Sequence, residues 1–302
     1  MSTPAAVSDS NEQTAAAASA AALVSRCRAA MAALANASQE RVDEAVTAIA
    51  WAVYDPENAR ALAELAVEDT GLGNVPDKII KNQRKTFGTL RDLMRVRTVG
   101  VIEDLPEKGL VKYAKPIGVV AAVTPSTNPA ATPVNKTMMA LKGRNAVVVA
   151  ASPSGYATTC RTVDLMRAGL DQIGLPVDLI QVLPQPVSKA STQALMEAVD
   201  LVVVTGSQNN VRRAYSSGTP AIGVGAGNVP VIIDESADLD DAAAKICASK
   251  TFDNATSCSS ENSVIIPESI YEDAMSALKR AGGFRCDAQA KARVLGALWP
   301  NG

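Results

Sequence analysis

The chain has 302 residues, of which 47% are hydrophobic and 20% are charged, as in ordinary globular proteins of about two domains. Its 29 basic and 31 acidic residues nearly cancel, so we expect neither nucleic acid nor an anionic membrane surface as a partner. It contains no histidine, which excludes Ser-His-Asp and Cys-His catalysis within this polypeptide and removes the commonest zinc ligand. No metal site is expected.

The N-terminal third is predicted to be helical. Residues 1–10 are polar and alanine-rich and are predicted to be disordered, and a helical pattern then runs from about Asn11 to Arg97. The alanine-rich stretch Ala15–Val24 has some likeness to the core of a signal sequence. The acidic Asp9 and Glu12 precede it, however, where a signal sequence carries basic residues. We interpret the stretch as an ordinary helix and expect no membrane span.

A basic stretch follows the turn Gly71–Asn74, and we interpret it as a solvated helix face. The alternative is a contact with a phosphate-bearing ligand or another subunit. Its basic residues are Lys78, Lys81, Arg84, Lys85, Arg91, Arg95 and Arg97. Two strands come next, Thr98–Glu103 and Leu110–Ala114, and they are expected to form a projecting ribbon.

From Pro116 to Ile233 short β-branched runs alternate with helical stretches, which is typical of βαβ units in a parallel sheet. The runs are mostly apolar, as expected for strands covered on both faces. We therefore predict an α/β fold with a doubly wound, Rossmann-type cofactor domain over residues 11–233. The predicted strands are Val119–Val123, Val147–Ala150, Leu179–Leu183, Leu201–Val204 and Ala221–Val224.

Residues 234–302 are predicted to form a second, partial α/β domain. An amphipathic helix places Leu239, Ala243, Ile246 and Cys247 on one face. Cys258 follows in a polar turn, and then come a strand at Ser263–Ile266 and a helix around Glu268–Arg280.

The five cysteines are scattered, without a CxxC pair, and their number is odd. This usage fits a reduced, cytoplasmic chain better than a disulfide framework. Cys27, Cys160 and Cys247 lie in helical patterns and are interpreted as packing residues, and Cys286 is expected to be inert. Cys258 stands among polar neighbours, which disfavours its alternative interpretation as a small buried thiol.

Several turns after predicted strands are candidates for binding a cofactor, although the GxGxxG fingerprint is missing after the first strand. Backbone amides at the start of a helix can approach a pyrophosphate. Taken singly, each of these turns is as well explained by turn chemistry. The candidates are Thr124 and Pro125, then Thr205, Gly206 and Ser207, and finally Gly225 and Gly227.

Taken in order and at these spacings, the segments resemble the CoA-acylating branch of the aldehyde dehydrogenase family, from about residue 20 to the end. The segments are Pro116–Pro129, Ala140–Asn145, Val204–Ser207, Gly225–Asn228 and Phe252–Ser263. The resemblance implies an aldehyde dehydrogenase-like fold, NADP or NAD as cofactor and coenzyme A as co-substrate. The implied substrate is a small aldehyde such as sulfoacetaldehyde.

The resemblance also implies roles for two residues. The Cys258 thiolate attacks the aldehyde carbon, hydride passes to the nicotinamide, and a thioester remains on the sulfur. The amide of Asn128 and the backbone N–H of Cys258 hold the developing oxyanion, and each such donor typically contributes ~3–4 kcal/mol. The alternative for Asn128 is a turn residue before Pro129.

Val224 occupies the position at which hydrolytic members of the family carry the glutamate that activates the deacylating water. Val224 cannot accept a proton. Bulk water has a pKa of ~15.7 whereas a thiol has a pKa of ~8.5, a difference of roughly 10 kcal/mol in ionisation. A site without a general base therefore favours a thiol acceptor, and the resemblance identifies that thiol as coenzyme A.

The choice between NADP and NAD depends on the turn after the second strand. The family usually places a lysine there, but this chain has neither a lysine nor an acidic residue. The missing acid leaves room for a 2′-phosphate, which Ser152 or Ser154 could help to bind. The sequence therefore favours NADP.

Family chains continue well beyond the point that corresponds to Gly302. We therefore expect a truncated catalytic domain, and the alternative function is a non-catalytic NAD(P)-binding fragment. The resemblance implies a homo-oligomer, a dimer or a tetramer.

Overall fold

The computed structural model describes the backbone of residues 4–300 and the side chains of residues 11–300. The chain divides into two compact units, Met1–Ala226 and Gly227–Gly302. The predicted boundary, between residues 233 and 234, lies slightly later along the chain. The division falls earlier because the strand that begins at Pro230 pairs with a strand of the second unit.

The first unit begins with four helices, and capping side chains accept hydrogen bonds from the first amides of three of them. Ser38 accepts a hydrogen bond from the amide of Arg41 at the start of α2, and Asp55 and Asn74 cap α3 and α4. The helices are α1 (Pro4–Met31), α2 (Gln39–Tyr54), α3 (Pro56–Thr70) and α4 (Val75–Leu93).

Helix α1 extends further towards the N-terminus than the sequence indicated. Residues 4–10, which were predicted to be disordered, form the start of α1; residues 1–3 lie outside the described part of the chain. The segment Asn11–Leu34 is long and apolar enough to cross a membrane by length and composition. Leu23, Cys27 and Leu34 are buried in the core of the unit, and this packing accounts for the apolar face.

The predicted ribbon is present as an antiparallel hairpin of β1 (Gly100–Leu105) and β2 (Leu110–Ala114). The connection ends at Gly109 with φ 61°, a left-handed conformation that glycine adopts at little cost. Leu110, Val111 and Tyr113 are exposed on the hairpin.

A five-stranded parallel sheet forms the centre of the first unit, in the order β5-β4-β3-β6-β7. Every residue of β3 and β4 is buried. The strand order reverses between β3 and β6, and such a switch point opens a crevice at the carboxyl ends of the strands. The strands are β3 (Val119–Val123), β4 (Ala146–Ala150), β5 (Ile180–Val182), β6 (Leu201–Thr205) and β7 (Ala221–Val224). The connecting helices are α5 (Ala131–Lys142), α6 (Tyr156–Gln172), α7 (Lys189–Ala198) and α8 (Gln208–Tyr215).

The second unit contains a short parallel pair, β8 (Pro230–Ile232) and β9 (Ser263–Ile265). The segment between them holds α9 (Leu239–Thr251) and the turn that carries Cys258. Helices α10 (Tyr271–Arg280) and α11 (Ala288–Leu298) follow.

Candidate functional site

The carboxyl edge of the five-stranded sheet brings together most of the predicted cofactor-binding residues. Thr124 and Pro125 follow β3, and Ser152 and Ser154 follow β4. Thr205 is the last residue of β6, Gly206 and Ser207 come directly after it, and Gly225 follows β7. Parallel strands end at one edge of a sheet, so the turns after β3 and β6 flank the switch point.

The turn after β3 is fixed by hydrogen bonds to the neighbouring strand. The backbone N–H and the hydroxyl of Thr124 both donate to the carbonyl of Ala150, at 3.0 and 3.3 Å. Gly155 approaches Pro129 so closely that a Cβ on Gly155 would lie 2.9 Å from the Pro129 ring. Thr124 is therefore committed to the backbone of β4, and its hydroxyl retains only acceptor capacity.

Asn128 is buried in this turn, at 7% exposure. Its Nδ2 donates a long hydrogen bond of 3.4 Å to the Thr127 hydroxyl. Its Oδ1 is buried and has no hydrogen-bond partner within the described residues. A buried amide oxygen costs free energy unless it accepts a hydrogen bond. A ligand that donates a hydrogen bond to Oδ1 would therefore stabilise the Asn128 side chain.

The turn after β6 is open. Gly206 has φ 154°, and a Cβ built there would meet nothing within 4 Å. The Ser207 hydroxyl is exposed and accepts a hydrogen bond of 3.3 Å from the amide of Asn210, which caps α8. The start of α8 can therefore accommodate an anion beside its backbone amides.

The turns after β4 and β7 differ in their surroundings. The hydroxyls of Ser152 and Ser154 lie 3.4 Å apart and are accessible. A Cβ on Gly225 would come within 2.2 Å of Gln208 Oε1, at the end of an exposed side chain at the start of α8. Val224 is 57% exposed at the end of β7. The two serines remain candidates for binding a phosphate.

Lys136 on α5 lies beneath the switch point and was missed by the sequence analysis. It is 6% exposed, and its Nζ donates to the carbonyls of Val123 and Val203 at 2.6 and 2.8 Å. Burial lowers the pKa of Lys136 to about 7. This side chain joins β3 to β6 where the strand order reverses.

The five cysteines differ in the pKa of the thiol and in its exposure to solvent. Burial raises the pKa of Cys27 to about 12 and also raises the pKa of Cys160, so both are poor nucleophiles. Cys247 is half-buried on α9, whereas Cys258 and Cys286 are exposed. Cys258 and Cys286 are therefore the accessible thiols.

Cys258 follows a strained turn. Three consecutive residues, Asp253, Asn254 and Ala255, have φ of 52°, 53° and 61°. This left-handed conformation costs roughly 1–2 kcal/mol for most side chains, and Asp and Asn tolerate it best. Asp253 is fully buried, and its Oδ2 accepts a hydrogen bond of 2.7 Å from the Thr256 hydroxyl. We call residues 253–256 the left-handed turn.

The segment after Cys258 is also fixed. The amide of Ser260 donates to the carbonyl of Ser257 at 3.1 Å, and the amide of Asn262 donates to the carbonyl of Val229 at 2.9 Å. A Cβ on Gly227 would lie 3.3 Å from the carbonyl oxygen of Cys258. Gly227, predicted as a cofactor residue, therefore lies beside the cysteine in the second unit.

One protein family matches nearly the whole length of the chain. The profile of the "Aldehyde dehydrogenase family" matches residues 4–296. The chain belongs to the aldehyde dehydrogenase family. It is 56% identical over 285 residues to sulfoacetaldehyde dehydrogenase (acylating) of Cupriavidus necator, covering 94% of this chain and 58% of that relative. It is 42% identical to succinate-semialdehyde dehydrogenase (acetylating) of Clostridium kluyveri, covering 87% of this chain and 57% of that relative.

Solved structures of the aldehyde dehydrogenase family agree with this fold. An acetylating aldehyde dehydrogenase from Geobacillus thermoglucosidasius superposes with a TM-score of 0.87 at 37% identity, over 94% of this chain and 63% of that one. A propionaldehyde dehydrogenase from Rhodopseudomonas palustris, with bound CoA and an acylated cysteine, gives 0.79 at 28% identity, over 92% and 63%. The expected fold class is confirmed, and the chain spans about three-fifths of the length of these four relatives.

Two features of this aldehyde dehydrogenase chain went unnoticed in the sequence. Lys136 lies beside Val134 and Met138 on α5, and a lysine on a mostly apolar helix could have suggested a satisfied buried cation. The Asp253-Asn254 pair is tolerant of left-handed backbone, which could have suggested a turn before Cys258. Asn128 lies in the first unit and Cys258 in the second.

Proposed function

We propose that this chain is an NAD(P)-binding, acyl-carrying part of a CoA-acylating aldehyde dehydrogenase. The observation that carries the proposal is the exposed Cys258 thiol at a turn fixed on both sides. Cys27 and Cys160 have raised pKa values, and Cys286 lies outside the five segments that carry the resemblance.

The proposed reaction begins when the Cys258 thiolate forms a C–S bond to the carbonyl carbon of the aldehyde. Asn128 donates a hydrogen bond to the oxygen that becomes negative. A bound NAD(P)+ would supply the hydride acceptor, so that loss of hydride from that carbon would leave a thioester on Cys258. The CoA thiol then displaces Cys258 as a thiolate, which releases the acyl-CoA.

The residues at the carboxyl edge of the sheet fit a dinucleotide. Gly206 leaves open space, Ser207 is exposed at the start of α8, and Asn128 has a buried oxygen without a partner among the described residues. The amides of Gly206 and Ser207 would hold the pyrophosphate. Ser152 and Ser154, with no acid nearby in sequence, would favour NADP over NAD.

The proposed substrate is sulfoacetaldehyde, supported by the 56% identity to the Cupriavidus necator relative. Succinate semialdehyde is the second candidate, supported by the Clostridium kluyveri relative. Both aldehydes carry an anionic group, so acetaldehyde serves as the uncharged comparison.

The test is a turnover assay with each aldehyde, NADP+ or NAD+, and CoA, in which absorbance of the reduced cofactor is followed. We expect turnover that requires CoA and is fastest with sulfoacetaldehyde. CoA-independent release of free acid would contradict the proposal.

Val224 gives a second test of the acyl acceptor. At 57% exposure it can be replaced by glutamate without burying a charge. Because glutamate can take a proton from water, we expect Val224→Glu to release free acid slowly without CoA. Val224→Gln has the same size without the base and is the control. Equal hydrolysis by both variants would exclude a role for the missing base.

A second candidate is NAD(P)+ binding without acyl transfer, supported by the open turn at Gly206 and the exposed Ser207 at the start of α8. Binding of NADP+ without acylation of Cys258 by aldehyde would support it.

We also propose a homo-oligomer and a cytoplasmic location. The exposed apolar residues of the β1-β2 hairpin support the first, and the five free cysteines support the second. Light scattering of the purified chain tests the oligomer, and fractionation of the cells tests the location.

A further inference from the structure

The left-handed turn before Cys258 is unusual in its residues as well as in its conformation. Asp253, Asn254 and Ala255 all have positive φ, although the turn contains no glycine. Such strain persists only where the surrounding structure holds it in place. The side chain of Ala255 can make no hydrogen bond, so the stabilising contacts must come from elsewhere.

The contacts from Thr256 converge on one residue, Asp253, at its carboxylate and at its backbone carbonyl. Asp253 is fully buried. The Thr256 hydroxyl shares its one proton between Asp253 Oδ2, at 2.7 Å, and the Asp253 carbonyl, at 2.8 Å. The Thr256 amide donates to that carbonyl at 3.1 Å. Side chain and backbone therefore close the same turn, and the two ends of the left-handed segment are joined to each other.

Cys258 lies two residues beyond Thr256, in the next turn, which the amide of Ser260 closes on the carbonyl of Ser257. A change in the backbone of residues 253–256 would therefore change the direction in which the Cys258 thiol is presented. The downstream end is held separately, by the pairing of Asn262 with Val229.

We propose that Asp253 is a positioning residue, whose buried carboxylate holds the left-handed turn and thereby orients the Cys258 thiol for acyl transfer. This inference rests on the proposed function of Cys258 as the nucleophile. Asp253 acts through Thr256 and the backbone, and it takes no proton from the reacting groups.

The test uses p-nitrophenyl acetate, which acylates a well-placed thiol without aldehyde, CoA or cofactor. The Cys258 thiolate attacks the ester carbonyl, a thioester forms, and p-nitrophenolate leaves with the electron pair of the broken C–O bond. Release of p-nitrophenolate gives the rate, and peptide mass spectrometry gives the modified cysteine. Alkylation by iodoacetamide, which needs an accessible thiolate but little orientation, is measured in parallel.

Asp253→Ala is expected to lower the acylation rate about tenfold or more, because small displacements of a reacting group are costly. Alkylation of Cys258 should change by less than about threefold, because the thiol stays accessible. Asp253→Asn retains an acceptor for the Thr256 hydroxyl and should acylate at close to the original rate. Thr256→Val should resemble Asp253→Ala.

A conformational rescue separates positioning from a charge effect. Ala255→Gly removes the strain at Ala255, so the double variant Asp253→Ala/Ala255→Gly should recover part of the acylation rate. Asp234→Ala is the matched control, since Asp234 accepts hydrogen bonds from the Ser236 amide and hydroxyl in the same unit. It should leave acylation unchanged.

Two outcomes would overturn the inference. One is acylation of Asp253→Ala at the original rate. The other is an equal loss in Asp253→Asn and Asp253→Ala without rescue by glycine, which would indicate that the charge acts on the thiol directly. If the unaltered chain is acylated at Cys286 instead of Cys258, the proposed function fails. Amide hydrogen exchange of residues 252–262 then still shows whether Asp253 holds the turn.

Discussion

The two units fix their chemical groups in different ways. In the first unit, some candidate residues follow strands β3 and β4, which are buried at every position, and the others lie at the ends of β6 and β7, which are only partly buried. In the second unit, Ile232 on β8 and Ile265 on β9 are 71% and 53% exposed, and Cys258 follows the left-handed turn. Packing of the sheet therefore fixes the candidate cofactor-binding residues of the first unit, whereas local hydrogen bonds and backbone strain fix the position of Cys258 in the second unit.

The largest expected effect comes from Cys258 itself. Cys258→Ser removes the nucleophile, so acyl transfer should fall by more than about 10³-fold while NADP+ binding by the first unit is unchanged. Mass spectrometry after incubation with aldehyde and NADP+, without CoA, measures the acylated chain. Cys286→Ser replaces the other exposed thiol and is the control. Acylation that survives Cys258→Ser would place the chemistry elsewhere.

Asn128 tests whether the first unit takes part in the chemistry or only binds the cofactor. Asn128→Ala removes the proposed oxyanion donor and should lower the rate of acylation by about 10²–10³-fold, with little change in the affinity for NADP+. Asn135→Ala is the matched control, because Asn135 Oδ1 is also buried without a partner among the described residues. Single-turnover kinetics and cofactor titration measure the two quantities. Equal losses of acylation rate in both variants would show that Asn128 has only a structural role.

The sequence predicts the first unit better than the second. The bounds of β3 and β7 agree with the prediction, because short apolar β-branched runs between helices are typical of buried parallel strands. The polar turn around Cys258 was predicted as well. Its left-handed conformation was not, because Ala255 disfavours such a backbone and the burial of Asp253 is not visible in the sequence.

Lys136 shows the same limit within the sheet. Helix α5 can be predicted from its pattern, but the two carbonyls that accept hydrogen bonds from Lys136 Nζ belong to β3 and β6, which are distant from each other in sequence. Such a contact exists only once the strand order is fixed. Residues whose partners lie on neighbouring strands were therefore missed.

Lys136 also gives a stability test that acts on the first unit alone. The unfolded chain keeps this amine protonated up to its ordinary pKa of 10.5, whereas the folded chain releases the proton at about 7. Between these values the unfolded state binds more protons, so the free energy of unfolding should rise with pH. Cys27, with a pKa raised from 9.0 to about 12, has the opposite effect above pH 9.

The useful range is therefore pH 7 to 9. There Lys136 contributes a slope of up to about 1.4 kcal/mol per pH unit. Lys136→Met should lower the overall stability, because the Val123 and Val203 carbonyls lose their donor, and should also flatten the slope. Urea unfolding at several pH values measures both. Lys291→Met, on the exposed face of α11, is the control, and a slope that survives Lys136→Met would show that another group titrates.

The smallest expected effect comes from Gly206, which lies where a buried strand meets the open turn of the first unit. Its φ of 154° is strained for other residues, although a Cβ there would meet nothing within 4 Å. Gly206→Ala should therefore destabilise the chain by about 1 kcal/mol through the backbone and weaken NADP+ binding at the start of α8. Gly88→Ala is the control of opposite sign, because Gly88 lies inside α4 with open space around it and alanine favours helix by roughly 0.5–1 kcal/mol. Urea unfolding measures the stability of both variants, and NADP+ titration measures their affinity for the cofactor. A Gly206→Ala chain as stable as the original would show that this turn adapts and that the neighbouring strand does not fix its backbone.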